Sequence, residues 1–474
     1  MAVETAGEYD VIVLGGGPAG ENAASYAIAG SSRTAVIVER ELVGGECSYW
    51  ACMPSKALLR PVEVRAAAQA IPGVPVGALD VAGVLRRRDS FTSHHDDSGQ
   101  VRWAESEGID VVRGHGRLAG ERLVRVTAAD GSTRELRARH AVVLATGSTA
   151  VVPPDLAGAL PWTSRDVTNL REVPSRVLII GGGVVACEAA TWLAALGAKV
   201  VMAVRGSALL AKAEPFAGAA VAASLAADVR FGAVLDSVAR PGARDTGEGN
   251  IHGGPVEVML GGERLEFDEV VVAAGRKPAT ADLGLETVGL APGRAVATDD
   301  HLAAVGEWLY AVGDVNGRSA LTHMGKYQAR VCGDVIAARA DGRGIASRRF
   351  SASADHGEVP QVVFTQPQVA SVGLTEAQAH AEGLEVEVVA VDIGTVAGAA
   401  LHADGYSGRA QLLIDRVEDV VIGASFVGPE VAELVHAATI AVVGRVPVDL
   451  LWHAVPAYPT VSEVWLRLLE ARRG

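Results

Sequence analysis

Val11-Ile12-Val13-Leu14 is a run of consecutive apolar residues that leads into Gly15-Gly16-Gly17-Pro18-Ala19-Gly20 and then the alanine-rich Glu21-Asn22-Ala23-Ala24. A short apolar run ended by glycines predicts a buried strand and a tight turn, and the alanines after it predict a helix. The same design recurs at Val177-Leu178-Ile179-Ile180, Gly181-Gly182-Gly183 and Val184-Val185-Ala186-Cys187-Glu188-Ala189-Ala190. The copies lie too far apart for a solenoid and suit two related nucleotide domains. Each is followed by a second apolar run, Val36-Ile37-Val38-Glu39 and Lys199 to Val204. Later, Gln361 to Phe364 and Val420 to Phe426 read as strands, and Thr375 to Ala381 and Val431 to Val443 as helices. Val151-Val152-Pro153-Pro154 marks a crossing between domains, Gly275-Arg276-Lys277-Pro278 a return, and the polar, aperiodic stretch from Arg339 to Pro360 the last boundary. The pattern predicts an α/β chain with two Rossmann-like nucleotide-binding domains.

Composition narrows the class. With 474 residues, 49% hydrophobic and 21% charged, the chain has ample core and room for about three domains. A net charge of -14 speaks against nucleic acid or an anionic membrane as partner, because both require a basic footprint. Apolar runs fall short of the roughly 18 residues of a membrane span, and Met1-Ala2-Val3-Glu4-Thr5 lacks the basic start of a signal peptide. A cytoplasmic location is expected. Four cysteines are too few for a disulfide framework, so the one close pair, Cys47 and Cys52, reads as catalytic or metal-binding. Of the 42 basic residues only Lys56, Lys199, Lys212, Lys277 and Lys326 are lysines.

Gly15, Gly17 and Gly20 fit G-x-G-x-x-G: the first glycine allows the turn, the second lets backbone approach a pyrophosphate, and the third lets helix meet strand. Glu39, ending the next strand, is placed to accept hydrogen bonds from ribose hydroxyls. The second copy reads Gly181, Gly183, Ala186, and its second strand ends in Val204-Arg205 instead of an acid. Arg205 supplies a cation for a 2'-phosphate, so NADP(H) is expected there, unless Arg205 is simply one of many surface arginines.

Cys47 and Cys52, five residues apart, are separated by about 7.5 Å of rise in a regular helix, whereas a disulfide holds its Cα atoms at about 4.4–6.8 Å. A regular helix cannot carry that bridge, so Cys47 is expected in an irregular turn after Gly44-Gly45, with Cys52 leading a helix. Zinc would need further Cys or His ligands; Cys187 and Cys332 sit singly on apolar stretches and are expected to pack, so no metal is expected.

The segment Gly44-Gly45-Glu46-Cys47-Ser48-Tyr49-Trp50-Ala51-Cys52-Met53-Pro54-Ser55-Lys56 resembles the redox signature of the class I flavoprotein (pyridine nucleotide) disulfide oxidoreductases, the family of dihydrolipoamide dehydrogenase, glutathione reductase and mercuric reductase. Ala145-Thr146-Gly147-Ser148, Gly275-Arg276-Lys277-Pro278, Tyr310-Ala311-Val312-Gly313-Asp314, Phe364-Thr365-Gln366-Pro367, Val372-Gly373-Leu374-Thr375-Glu376 and Tyr458-Pro459-Thr460-Val461-Ser462-Glu463 follow in the family's order. The resemblance implies an FAD domain from 1–152 and 280–348, an NAD(P)H domain at 153–279 and an α+β dimerisation domain at 349–474, working as a homodimer on a small disulfide. It implies an FAD site drawn from Gly15, Gly17, Pro18, Ala19, Gly20, Glu39, Arg40, Gly45, Cys47, Cys52, Lys56, Gly116, Thr146, Gly147, Ser148, Arg276, Gly313, Asp314, Leu321, Thr322 and His323. NADPH, with NADH as the alternative, is expected at Gly181, Gly183, Val184, Val185, Glu188, Val204, Arg205 and Gly275. Lys56, paired with Glu188, is expected beside the reactive flavin nitrogen, a buried ion pair that suits a compact ammonium. Cys52 is expected to interact with the flavin as thiolate and Cys47 to exchange with substrate.

The departures matter as much. The family's disulfide reductases place a histidine before Pro-Thr, and here Tyr458 stands there, with Glu463 retained. A phenol with pKa about 10 is a poor base near neutrality, where an imidazole near 6.5 is well matched. Mercuric reductase resembles the chain at this tyrosine, but the stretch Glu470-Ala471-Arg472-Arg473-Gly474 carries no cysteine pair and no metal-binding module is read ahead of the first fingerprint, so mercury delivery is not expected. Soluble pyridine nucleotide transhydrogenase shares the tyrosine and Trp50, but passes hydride without paired cysteines, which makes transhydrogenation or quinone reduction the alternative reading. His453 is a candidate replacement base, against packing or capping beside Trp452. Arg86-Arg87-Arg88 and His94-His95-Asp96-Asp97 are expected on one helix, either as a solvated charged face or near the substrate entrance.

Overall fold

The computed structural model describes residues 4–473, with side chains from residue 7; Met1 to Val3 of the N-terminal stretch read above, and Gly474, lie outside the described residues. The chain divides into two compact units, one formed by 1–53, 89–151 and 275–355, the other by 54–88, 152–274 and 356–474.

The first unit is built on an eight-stranded sheet whose main path runs Ala303–Val305, Leu309–Ala311, Thr133–Leu144, Glu4–Leu14, Ala35–Glu39, Ile109–Arg113. From Leu309–Ala311 onward neighbouring strands are parallel. The apolar runs are buried on both faces, as continuous Val and Ile in a parallel sheet should be. Strand order reverses between Glu4–Leu14 and Thr133–Leu144, which opens a crevice at their carboxyl ends. Gly15, with φ +101°, sits there: a Cβ on it would lie 2.4 Å from the Ala145 carbonyl oxygen. The Pro18–Ile28 helix begins at once, and a Cβ on Gly20 would fall 1.9 Å from the Gly15 oxygen, so only glycine lets this helix meet its strand.

In the second unit a four-stranded parallel sheet runs Ala227–Phe231, Lys199–Val204, Arg176–Ile180, Glu269–Val272. It repeats the first turn: Gly181, with φ +133°, sets a would-be Cβ 2.5 Å from the Ala273 oxygen, and the Val184–Ala195 helix follows. A three-stranded antiparallel sheet, Leu235–Ala239, Val256–Leu260 and Glu263–Phe267, lies in the same unit. The C-terminal part is a five-stranded antiparallel sheet ordered Gln361–Val363, Gln368–Gly373, Val420–Gly428, Arg409–Asp415, Val386–Asp392. The helices Val435–Val443 and Val464–Arg473 share its apolar core.

The arginine segment differs from expectation. Arg86, Arg87 and Arg88 lie on the Val81–Phe91 helix, but His94 and His95 do not, because Ser93, His94 and His95 all take positive φ (48°, 51° and 62°) and end it. Nor is this a solvated face throughout. Arg88 is buried, giving its guanidinium to the carbonyls of Thr168 and Leu170, and Arg87 donates to the Ala57 carbonyl. Carbonyls left without donors in the interior are costly, and two arginines supply them.

Candidate redox-active site

Gly44 and Gly45 take φ of 109° and 58°, and the Gly44 N–H donates to the Gly16 carbonyl at 2.8 Å. A Cβ on Gly45 would come within 2.7 Å of Gly17 Cα. The glycine pair therefore pins the cysteine segment against the first fingerprint. Cys47 lies in the one-turn helix Gly45–Tyr49, not in an irregular turn; the irregularity comes after it, at Trp50 (φ -132°) and Ala51, before Cys52 opens the Cys52–Gln69 helix. The break between the cysteines is the one the spacing demands, displaced by a few residues because the two glycines can reverse the chain and still start a helical turn. The amino end of an 18-residue helix favours negative charge at Cys52.

All four cysteines are free thiols. The Cys52 Sγ lies 3.3 Å from Thr322 Oγ1, at the start of the Thr322–Ala340 helix. The hydrogen bond to Cys52, with burial, pushes the Cys47 thiol well above its usual range, while Thr322 and the Lys326 charge pull it down. Cys187 and Cys332 are fully buried and pack as expected, burial pushing Cys187 up to about 12.

A polar chain joins several motifs of the first unit. The Ser148 hydroxyl donates to Asp314 at 2.6 Å, Arg276 donates to the Ser148 hydroxyl and carbonyl at 2.8 Å each, and Arg276 reaches Glu46 at 3.2 Å. Thr146 donates to the Ala279 carbonyl, and Gly147 and Gly313 are left-handed. Glu39 accepts from the backbone N–H groups of Gly16 and Glu41, both at 2.7 Å, so the carboxylate expected to meet a ribose is already held by backbone; each oxygen keeps a further lone pair. Glu39 lines a cavity of about 230 Å³ with Gly15, Arg40, Gly116, Thr146 and Asp282. Gly116 packs tightly, since a Cβ would meet the end of the Leu14 side chain at 2.8 Å. Beyond Gly17 the helix start is open, with only Gly45 Cα, at 4.0 Å, near a would-be Cβ. The open cradle, the cavity and the helix amino end fit a dinucleotide. Pro18 and Ala19 form the helix's first turn; Leu321 caps the Thr322–Ala340 helix, and His323 is exposed.

In the second unit Lys56 Nζ lies 2.8 Å from Glu188 Oε2, whose other oxygen accepts the Phe364 N–H at 3.0 Å; the ammonium also sits 4.9 Å from the Phe364 ring centre. The expected pair forms, but it is not fully buried: the lysine side chain is 36% exposed and the glutamate 5%. At the second fingerprint Gly183 caps the helix, Val184 and Val185 are exposed on its first turn, Val204 is buried and Arg205 is exposed; Gly275, which belongs to the first unit, has a positive φ of 122°.

Tyr458 is 77% exposed, whereas Glu463 is buried, its Oε2 without a hydrogen-bond partner among the described residues. Gly398 lets the intervening segment close in, since a Cβ would overlap the Thr460 carbonyl carbon at 2.0 Å. His453 is exposed instead of packed, while its neighbour Trp452 lies under the Arg473 guanidinium at 3.9 Å. The His95 ring faces Tyr49 and Trp50 at 5.9 and 5.5 Å between centres.

One residue escaped the sequence reading. Glu21, on the first turn of the Pro18–Ile28 helix, has its Oε1 sealed from solvent with no hydrogen-bond partner among the described residues. Burial pushes it up to about 7, and Lys326 pulls it partly back. A charged residue where the helix is otherwise alanine-rich was the signal available.

These elements define a dithiol held against a nucleotide fingerprint. The pyridine nucleotide-disulphide oxidoreductase pattern matches residues 9–329, and the dimerisation domain of the same family matches 359–469. The chain belongs to this family, an FAD-dependent class of oxidoreductases that use a pyridine nucleotide. It is 33% identical to dihydrolipoyl dehydrogenase 3 of Pseudomonas aeruginosa, covering 96% of both chains, and 30% identical to glutathione reductase of Burkholderia cepacia, covering 98% and 99%. Among solved structures it resembles LpdA of Mycobacterium tuberculosis, at a TM-score of 0.82 and 26% identity over 98% of this chain and 99% of that one. Among the described residues no helix is long and apolar enough to cross a membrane.

Glu21 makes stability depend on pH. Its carboxyl is raised from 4.5 to about 7 in the folded chain, so between those values the folded state keeps a proton that the unfolded state has lost, and stability falls as pH rises through that window. Urea melts of Glu21→Gln are expected to show a gain on the order of 2–3 kcal/mol above about pH 7, disappearing below about pH 4.5.

Proposed function

We propose that the chain takes hydride from NADPH and passes two electrons through FAD and the Cys47–Cys52 pair to a small-molecule disulfide or another thiol-reactive acceptor, as a cytoplasmic homodimer. The observation that carries this reading is the pair of thiols brought together across a helix break and pinned to the first fingerprint by Gly44 and Gly45.

Bound FAD would supply the transfer between a hydride donor and a thiol pair. This chain's residues do the rest. The first fingerprint, Glu39, Arg40 and Gly116 would hold its adenosine half, and Ser148, Asp314 and Arg276 its middle. Lys56, fixed by Glu188, is assigned to the reactive nitrogen. The proton kept by Cys47 leaves Cys52 as the thiol that carries charge toward the flavin, while Cys47 exchanges with substrate. Arg205, exposed where an acid would favour a free hydroxyl, supports NADPH over NADH. Tyr458 donates a hydrogen bond to a bound anion and does not take the thiol's proton. A second reading, transhydrogenation or quinone reduction with the cysteines idle, is favoured by Tyr458 and Trp50.

Steady-state assays separate the two. Cys47→Ser is expected to lower disulfide turnover by about a hundredfold or more while sparing reduction of quinones and NAD analogues; undiminished disulfide turnover would support the second reading. Tyr458→His is expected to raise turnover of a generic dithiol or disulfide by about tenfold or more, with a new limb in the pH profile near 6.5.

A further inference from the structure

The dithiol has charged neighbours that the reading above leaves without a task. Thr322 and Lys326 stand four residues apart on the Thr322–Ala340 helix and so share one face, and Thr322 Oγ1 touches Cys52 Sγ at 3.3 Å. That helix packs closely on Pro18–Ile28: a Cβ on Gly325 would lie 3.4 Å from Ala19 Cβ, and one on Gly333 2.5 Å from Tyr26 Cβ. Glu21 follows Ala19 at this contact, one carboxylate oxygen sealed and without a hydrogen-bond partner among the described residues. The charge of Lys326 reaches both Glu21 and Cys47, and the charge of Glu21 reaches Tyr49, two residues beyond Cys47. Lys326 therefore faces this cluster from one helix, Cys47 and Tyr49 from the short helix, and Asp96 and Asp97, which also act on Tyr49, from the segment after His95. Of five lysines in the chain, one stands here.

We propose that Lys326 stabilises the Cys47 thiolate during exchange with a disulfide, and that Glu21 sets how much of the lysine's charge Cys47 feels, so that together they stand in for the base missing at Tyr458. The proposal rests on the disulfide-reducing reading. Both are positioning residues acting on the thiol through the field of the ammonium. When Glu21 is ionised, its charge offsets Lys326; when it is protonated, Lys326 acts on Cys47 undiminished. Loss of the Cys47 proton and gain of one by Glu21 thus favour each other, and Cys47–SH with Glu21–COO⁻ becomes Cys47–S⁻ with Glu21–COOH. The Cys47 thiolate attacks one sulfur of the substrate RS–SR'; a Cys47–S–SR bond forms, the RS–SR' bond breaks, and R'S⁻ leaves and takes up the proton that Glu21 releases. The Cys52 thiolate then attacks Cys47 sulfur and expels RS⁻. The pair loses two electrons, the substrate gains two, and one thiol and one thiolate depart.

Alkylation of Cys47 by iodoacetamide tests this without turnover, in the reduced, FAD-loaded full chain carrying Cys52→Ser, with the labelled peptide identified by mass. Adding Glu21→Gln is expected to speed labelling about tenfold at about pH 8 and to leave it unchanged at about pH 6, where Glu21 already holds its proton. Adding Lys326→Met is expected to slow labelling several-fold at both, Lys326→Arg to restore it, and Glu21→Gln on top of Lys326→Met to give no gain. Equal rates for Glu21→Gln and its parent at about pH 8, or for Lys326→Met and its parent, overturn the proposal. Normal disulfide turnover with a flat labelling response sinks only this inference; the expected labelling response with no disulfide turnover sinks only the functional reading on which it rests.

Discussion

Two thiols five residues apart meet only if the helix between them is broken, and the active segment is arranged around that constraint. Gly44 and Gly45 reverse the chain in left-handed conformations, one turn of helix carries Cys47, Trp50 and Ala51 interrupt it, and a second helix starts at Cys52. The reversal also fixes position, because Gly44 bonds to Gly16 and Gly45 tolerates no side chain against Gly17. Glycine is thus required on both sides of the contact, in the fingerprint for the strand-to-helix turn and in the cysteine segment for its approach. A substitution at either place moves the thiols.

The first unit gathers around the same turn. Arg276 and Asp314, far apart in sequence, converge on Ser148, and Arg276 continues to Glu46, beside Cys47. Such a chain of charge-assisted bonds is worth more as geometry than as stability, since it fixes the segment that carries Cys47. In the second unit Glu188 performs a comparable role, holding Lys56 with one oxygen and the Phe364 backbone with the other. Truncating Glu188 would leave an ammonium and an N–H without their acceptor.

Much of this was legible in the sequence because the physics is local. Four apolar residues, a glycine turn and alanines specify strand, turn and helix wherever they occur, and both copies fold as they read. The pairing of Lys56 with Glu188 followed from family resemblance, not from spacing. What escaped depended on distant packing. Arg88 looked like surface charge until two carbonyls from 80 or so residues away needed its guanidinium. Ser93, His94 and His95 take left-handed conformations that their side chains do not announce. Glu21 reads as an ordinary polar helix position, and the neighbouring helix, close enough to exclude a side chain at Gly333, helps seal its carboxylate oxygen and leaves it reluctant to ionise.

On the proposed reading, electrons leave through sulfur, with Cys52 as the thiolate that interacts with flavin. Anaerobic titration of the FAD-loaded protein with NADPH, followed by absorbance beyond the flavin bands, tests it most directly. A long-wavelength thiolate-to-flavin band is expected in the unaltered protein once NADPH has reduced the pair, in Cys47→Ser before NADPH is added and bleached by it, and not at all in Cys52→Ser. A band that persists in Cys52→Ser, or its absence from the unaltered protein, would contradict it.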